Sequence, residues 1–233
     1  MPLLLFDIDG TVTDTKAIDD ACFLKAFENA FEINVKFKDW ASYKHVTDSA
    51  IFKELYQNTF SAIANEEHKS QFISSFNSLL NAERIAQPTA FKEIPGAVNF
   101  IQTVISKKEF PIAFATGANK ISAKMKLNEV GIEMDNFPNA SSDDSDSREE
   151  IMLKAIERAS THYGENSFDP AISSVIYFGD GEWDFHATKN LGMPFIGVDV
   201  NSSGKLEKLG TRNIIRDYSK SEKVLEMIKL LLK

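Results

Sequence analysis

Four short apolar runs punctuate the chain, at 3–6, 111–115, 175–178 and 195–198, and each ends in polar or glycine-containing turn residues. Uninterrupted apolar runs of this length suit strands buried on both faces of a parallel sheet. Between the later runs, apolar residues recur with helical spacing over 97–107, 119–130, 148–163 and 183–190, with Gly131, Gly164 and Gly192 placed as C-terminal stops. Alternating strands and helices predict an α/β fold with a doubly wound, mainly parallel sheet.

Between residues 15 and 88 the pattern changes to helix without convincing strands. Phe23, Phe27 and Phe31 fall on one helical face, and Ile51, Leu55 and Tyr56 continue the theme. Such stripes normally mark burial, so this segment reads as a helical cap domain inserted after the first strand. The stretch AQPTAFKEIPG, with two prolines and a glycine, marks the return to the sheet. The expected division is 1–14 with 89–233 as the α/β core, and 15–88 as the cap.

Composition narrows the setting. At 233 residues, 43% hydrophobic, the chain is long enough for a core domain with a smaller insertion. A formal net charge of -8 argues against nucleic acid as a partner, because a phosphate-backbone binder presents basic excess. A single cysteine, Cys22, cannot form an internal disulfide and fits a reduced cytoplasm. Asp7 and Asp9 cut the N-terminal apolar run far short of a signal-peptide core or membrane span, and no other stretch approaches that length. Neither a targeting segment nor membrane insertion is expected.

The chemistry concentrates at strand ends. In LLLFDIDGTVTDT the first strand delivers Asp7 and Asp9 to its carboxyl edge, where α/β proteins bind ligands, although a turn at Gly10 redirects the second acid. Two unpaired carboxylates there repel each other unless a cation neutralises them, and a hard ion such as Mg²⁺ takes oxygen ligands. VIYFGDGEWD supplies Asp180 and Asp184 after another strand. Asp180-Gly181 alone also reads as a turn, but two strand ends that both present acids favour a shared metal site.

PIAFATGANK forms a third strand end, where the Thr116 hydroxyl, the Gly117 amide and the start of a helix make a receptacle for an anion. Arg148, in SDSREEIMLKAI, falls in a first helical turn if Ser147 and Glu150 form a capping box.

Other sites find less support. No segment has P-loop spacing or a serine-hydrolase elbow. An EF-hand loop beginning at Asp144 would need glycine where Glu149 stands. The four histidines lack ligand spacing, and Cys22 within the aromatic helix reads as packing.

Taken in order, DIDGT at 7–11, Thr116 at a strand end and GDGEWD with Asp180 and Asp184 resemble the motifs of the haloacid dehalogenase superfamily, in its phosphatase branch. The resemblance covers nearly the whole chain, including a cap between the first two motifs. It implies a phosphatase acting on a small phosphorylated metabolite, with Asp7 as nucleophile forming an aspartyl-phosphate and Asp9 as general acid and base. It further implies Mg²⁺ held by the Asp7 carboxylate, the Asp9 backbone carbonyl, Asp180 and Asp184, with Thr116, Gly117 and a basic residue near a helix start on the phosphoryl oxygens; Arg148 is preferred to Lys154 and Lys120 for that role, because a guanidinium can engage phosphate bidentately.

The dehalogenase branch lacks an acid at the position of Asp9, so its presence points to phosphate esters. The cap type suggests a phosphorylated sugar or glycolate-like compound. His45, Thr47 and Asp48 in YKHVTDSAIF are expected to help select it, although Thr47 or Asp48 also suits a helix cap. A phosphomutase of the same family and a noncatalytic phospholigand-binding module remain alternatives, and the chain is expected to be a monomer or small homo-oligomer.

Overall fold

The computed structural model describes residues 1–35, 38–164 and 167–232. Six parallel strands run through it: β1 (Leu3–Phe6), β2 (Ile112–Ala115), β3 (Asn139–Ala140), β4 (Val175–Gly179), β5 (Phe195–Val198) and β6 (Ile214–Ile215). Their order is β3-β2-β1-β4-β5-β6, with β1 pairing Leu4 to Ile112 on one side and Leu3 to Val175 on the other. The chain winds outward from β1 in one direction through β2 and β3, then returns to lay β4 against β1. That reversal opens a crevice at the carboxyl ends of β1, β2 and β4, the place where such sheets bind ligands.

The apolar runs are continuous because both faces of the sheet are covered. Leu4, Phe6, Ile112 and Phe114 pack toward α4 (Ala97–Lys107), α5 (Lys120–Glu129) and α9 (Ser221–Leu231). Leu3, Leu5, Ala113 and Ala115 pack toward α6 (Arg148–Tyr163) and α7 (Glu182–Leu191). The small residues on β2 let α6 lie close, whereas on the opposite face Phe6 stacks on Phe178 with ring centroids 4.5 Å apart. The two-residue strands β3 and β6 and the four-residue helix α8 (Lys205–Lys208) were not expected from the sequence, because elements so short carry no period.

Between β1 and β2 stand α1 (Lys16–Phe31), α2 (Asp48–Phe60) and α3 (Glu66–Ala86), followed by α4, with no strand among the described residues of this stretch. The first three share a separate apolar cluster in which Phe23, Phe27, Phe52, Phe72 and Phe76 are buried. Phe31 is only half-buried and closes the edge of this cluster against Tyr56 and Phe60. Cys22 belongs to the same cluster, and burial pushes its thiol up to about 11, consistent with packing.

Helix starts follow local chemistry. The Thr47, Asn119 and Ser147 side chains accept from the backbone N–H of Ala50, Ser122 and Glu150. The reciprocal half of the expected Ser147/Glu150 box is absent. Glu150 instead accepts from the Ser145 hydroxyl, which has drawn its side chain back into the preceding loop. No described helix is long and apolar enough to cross a membrane.

Because Phe6 is wholly buried at the centre of the sheet, Phe6→Ala should destabilise the protein by about 3–5 kcal/mol. Urea denaturation read by circular dichroism would check this.

Candidate active site

The carboxyl end of β1 is shaped by a tight turn. The Asp7 N–H donates to the Phe178 carbonyl at 2.9 Å, extending the β1–β4 pairing by one residue, and the Ile8 carbonyl then accepts from Val12 and Thr13. Gly10 adopts φ +74°, and a Cβ there would meet the Asp180 carboxylate at 2.4 Å. Only glycine lets the first loop and the β4 loop approach so closely. Gly179 has the same role toward Asp184, whose carboxylate a Cβ would meet at 2.6 Å.

Asp7, Asp180 and Asp184 each present a carboxylate oxygen, all within 4.8 Å of one another. Asp184 is wholly buried, accepting from the Gly181 N–H at 3.1 Å and the Tyr177 hydroxyl at 3.3 Å. Arg148 reaches in from the first turn of α6: its Nη1 donates to Asp7 Oδ1 at 3.2 Å, and its Nε lies 3.5 Å from Asp184 Oδ1. Lys154 pairs with Glu157 at the surface, and the side chain of Lys120 has no contact with these acids; Lys120 instead donates its backbone N–H to Asp143.

This is more negative charge than Arg148 can balance. Burial raises the carboxyl of Asp7, with Arg148 opposing the shift and Asp180 and Asp9 adding to it. The Asp184 carboxyl is pushed up to about 7, chiefly by burial and further by Asp7 and Asp180, against the pull of Arg148. Three convergent oxygens carrying surplus negative charge form a donor set that fits a hard divalent cation. A further positive charge comes from Lys16, at the start of α1, whose ammonium donates to Asp180 Oδ2 at 2.7 Å while lying 4.7 Å from the centre of the Trp183 ring.

Asp9 shares the crevice but its carboxylate turns away from this trio. Its Oδ1 accepts from the Thr15 hydroxyl at 2.6 Å and its Oδ2 from the Lys126 ammonium at 2.7 Å. Lys126 was not anticipated from the sequence, nor were Lys16, Asp19 and Asp20. Along α5 the buried positions are Ser122, Ala123, Lys126 and Leu127, a stripe of mixed polarity, so the residue types alone do not mark this lysine as inward-facing.

One cavity is lined by Asp7, Asp9 and Asp180 below, by Thr116, Gly117 and Arg148 at the side, and by Asp19, Asp20, Trp40, Thr47 and Asp48 from the helical insertion. His45 lies outside it, in the wall of a neighbouring cavity shared with His186 and Glu149.

The expected anion receptacle at the start of α5 differs in one respect. Its backbone is engaged by the insertion's own carboxylate: Asp48 Oδ2 accepts from the Asn119 N–H at 2.7 Å and from Asn119 Nδ2 at 3.0 Å. The Asp48 N–H donates in turn to the Gly117 carbonyl. A Cβ on Gly117 would come within 2.8 Å of both the Val46 carbonyl and Arg148, so this glycine also admits the insertion. Thr116, almost wholly buried, accepts from the Ala118 N–H.

A family profile described as haloacid dehalogenase-like hydrolase matches residues 4–198. The chain belongs to the haloacid dehalogenase-like hydrolases. No curated protein sequence matches it. Among solved structures, a hydrolase from Pseudomonas syringae aligns over 97% of this chain and 98% of its own, with 18% identity and a TM-score of 0.74. CbbY from Rhodobacter sphaeroides, in complex with phosphate, aligns over 94% and 96% with 14% identity and a TM-score of 0.68. A predicted phosphatase from Clostridium acetobutylicum aligns over 97% and 98% with 20% identity and a TM-score of 0.61. At these identities the likeness establishes that the hydrolase fold is common to all of them.

Asp48 is one of several buried carboxyls that should make stability depend on pH. Burial pushes its carboxyl from 3.8 up to about 6, with Lys126 and the Asn119 donors opposing the shift. Between those values the native state keeps a proton that the unfolded chain releases, so this residue's contribution to stability falls as pH rises. Asp48→Asn should therefore flatten the decline of Tm between about pH 4 and 6, as measured by scanning calorimetry across that range.

Proposed function

We propose that this hydrolase is a magnesium-dependent phosphatase that cleaves a small phosphorylated metabolite through an aspartyl-phosphate on Asp7. The observation carrying this reading is the placement of Asp7: a buried carboxylate at the end of the central strand, within 4.8 Å of Asp180 and Asp184 and held by a buried arginine. In that setting Asp7 is oriented for attack, and the residues around it suit a phosphoryl group rather than a neutral ester.

In the first step an Asp7 oxygen bonds to phosphorus as the bond to the leaving oxygen breaks, and Asp9 gives its proton to that oxygen. In the second, Asp9 takes a proton from water, the water oxygen attacks phosphorus, and the bond to Asp7 breaks, releasing inorganic phosphate. Arg148, Thr116 and the Gly117 amide hold the phosphoryl oxygens. The Asp7 carboxylate, the Asp9 carbonyl, Asp180 and Asp184 would hold Mg²⁺, which when bound neutralises charge on carboxylate and phosphoryl oxygens. Lys16 pairs with Asp180 and would have to release it for Asp180 to serve as a metal ligand.

In this reading residues 15–88 act as a cap over the core of 1–14 and 89–233, and the cap face selects the substrate. Asp19, Asp20 and Asp48 bring three carboxylates to that face. Together they disfavour a leaving group with its own acid and favour hydroxyl-bearing ones, so a sugar phosphate fits better than a glycolate-like ester. Thr47 and Asp48 act at the cavity wall, and His45 acts from the adjoining cavity. A single buried cysteine is compatible with a reducing cytoplasm.

The wild-type chain with Mg²⁺ should release inorganic phosphate from members of a phosphorylated-metabolite panel, and Asp7→Asn should lower kcat by at least ~10³-fold. Transfer of the phosphoryl group to a second sugar hydroxyl, without net phosphate release, would instead indicate a mutase. Independently of turnover, saturating Mg²⁺ should raise the wild-type Tm, with stabilisation of about 2.7 kcal/mol at a hundredfold excess over Kd. Differential scanning fluorimetry should show that Asp180→Asn loses this shift.

On the same panel, esters whose leaving group carries a carboxylate should be cleaved at least about tenfold less efficiently than sugar phosphates, a difference of about 1.4 kcal/mol. Asp48→Ala and His45→Ala should change these relative rates. Unchanged ratios in both variants would remove these residues from substrate selection.

A further inference from the structure

We infer that Lys126 is a positioning residue that fixes the Asp9 carboxylate for proton transfer and ties its orientation to the helical insertion through Asp19. This rests on the reading of Asp9 as general acid and base. Lys126 is wholly enclosed, on the inner side of α5. An ammonium removed from water is tolerated only where acids surround it, and here acids converge from separate elements. Lys126 Nζ donates to Asp9 Oδ2 at 2.7 Å and pairs with Asp19 Oδ1 from α1, and Asp48 at the start of α2 adds to the field that keeps the ammonium charged.

The remaining Asp9 oxygen accepts from Thr15, which is itself hydrogen-bonded to Thr13 at 2.7 Å. Both oxygens are therefore held, and the carboxylate cannot rotate without breaking a part-buried contact. The cations of the cavity are also divided among the acids. Arg148 is taken by Asp7 and Asp184, Lys16 by Asp180, and among the described residues Lys126 alone supplies an ammonium to Asp9. Packing alone would be served as well by an apolar side chain of the same length, without the desolvation that a buried ion pair requires. The charged pair is explained by the need to set the Asp9 carboxylate at one angle. Because Asp19 belongs to the first helix of the insertion, a shift of that helix draws on the same ammonium that holds Asp9.

The test compares kcat/KM, which reports phosphoryl transfer to Asp7, for two esters with Mg²⁺-loaded full-length protein. One is the alkyl phosphate of the metabolite panel cleaved fastest, whose leaving oxygen needs a proton. The other is 4-nitrophenyl phosphate, whose leaving group needs none. Lys126→Met should lower kcat/KM for the alkyl ester at least tenfold more than for the aryl ester, in the same direction as Asp9→Asn. The double variant Lys126→Met with Asp19→Asn removes one negative charge along with the ammonium, so it guards against simple unfolding, and it should show the same selective loss. A change in the alkyl-to-aryl ratio of less than tenfold in folded variants, judged by thermal unfolding, would overturn the inference. Absence of phosphate release from both esters by the wild type would instead sink the phosphatase reading itself, and this inference with it.

Discussion

The site depends on balancing crowded, buried negative charge. Asp7 and Asp184 lie under the sheet edge with Asp180 beside them, and Asp9, Asp19 and Asp48 gather a short distance away. Carboxylates desolvated together would be protonated or pushed apart unless cations were supplied at matching depth. Among the described residues the fold supplies two enclosed ones, Arg148 and Lys126. Each comes from a helix following a strand end, so the geometry of the sheet is also what allows the charges to coexist. Arg148 serves the cluster suited to a metal, and Lys126 serves the cluster facing the helical insertion.

The backbone accommodates this arrangement with glycines at the closest approaches. Gly10 and Gly179 let carboxylates lie against the main chain, and Gly117 lets the insertion and a guanidinium meet the end of β2. The same contacts make the insertion part of the site. Asp48 binds the start of α5, and Asp146, in the loop that leads to Arg148, accepts from Thr47, Ser49 and Lys53 of the insertion.

Much of this was legible in the chain. The central strands could be read because burial on both faces leaves an unbroken apolar run, and the acids could be read because they follow those runs directly. Arg148 was recognisable from the serine that caps its helix. The missing features depend on distance in three dimensions. Lys126 looks like one of several lysines on a helix without a clear apolar face until α1 places Asp19 opposite it. The occupation of the α5 terminus by Asp48 reflects a contact between residues 71 positions apart, which no local pattern encodes. The edge strands β3 and β6 are two residues each, and only their neighbours define them.

The central position of β1 bears on how the chain acquires its shape during synthesis. Leu3–Phe6 leave the ribosome well before their partners, Ile112 and Val175 and the residues beside them. Until those emerge, four apolar side chains have no sheet to enter, and the aromatic helices that follow must fold around an unfinished scaffold. Partners so remote in sequence slow assembly and prolong the exposure of sticky surface. The nascent polypeptide is thus most vulnerable to aggregation before β4 is translated, when the strand that leads into Asp7 is still only half enclosed.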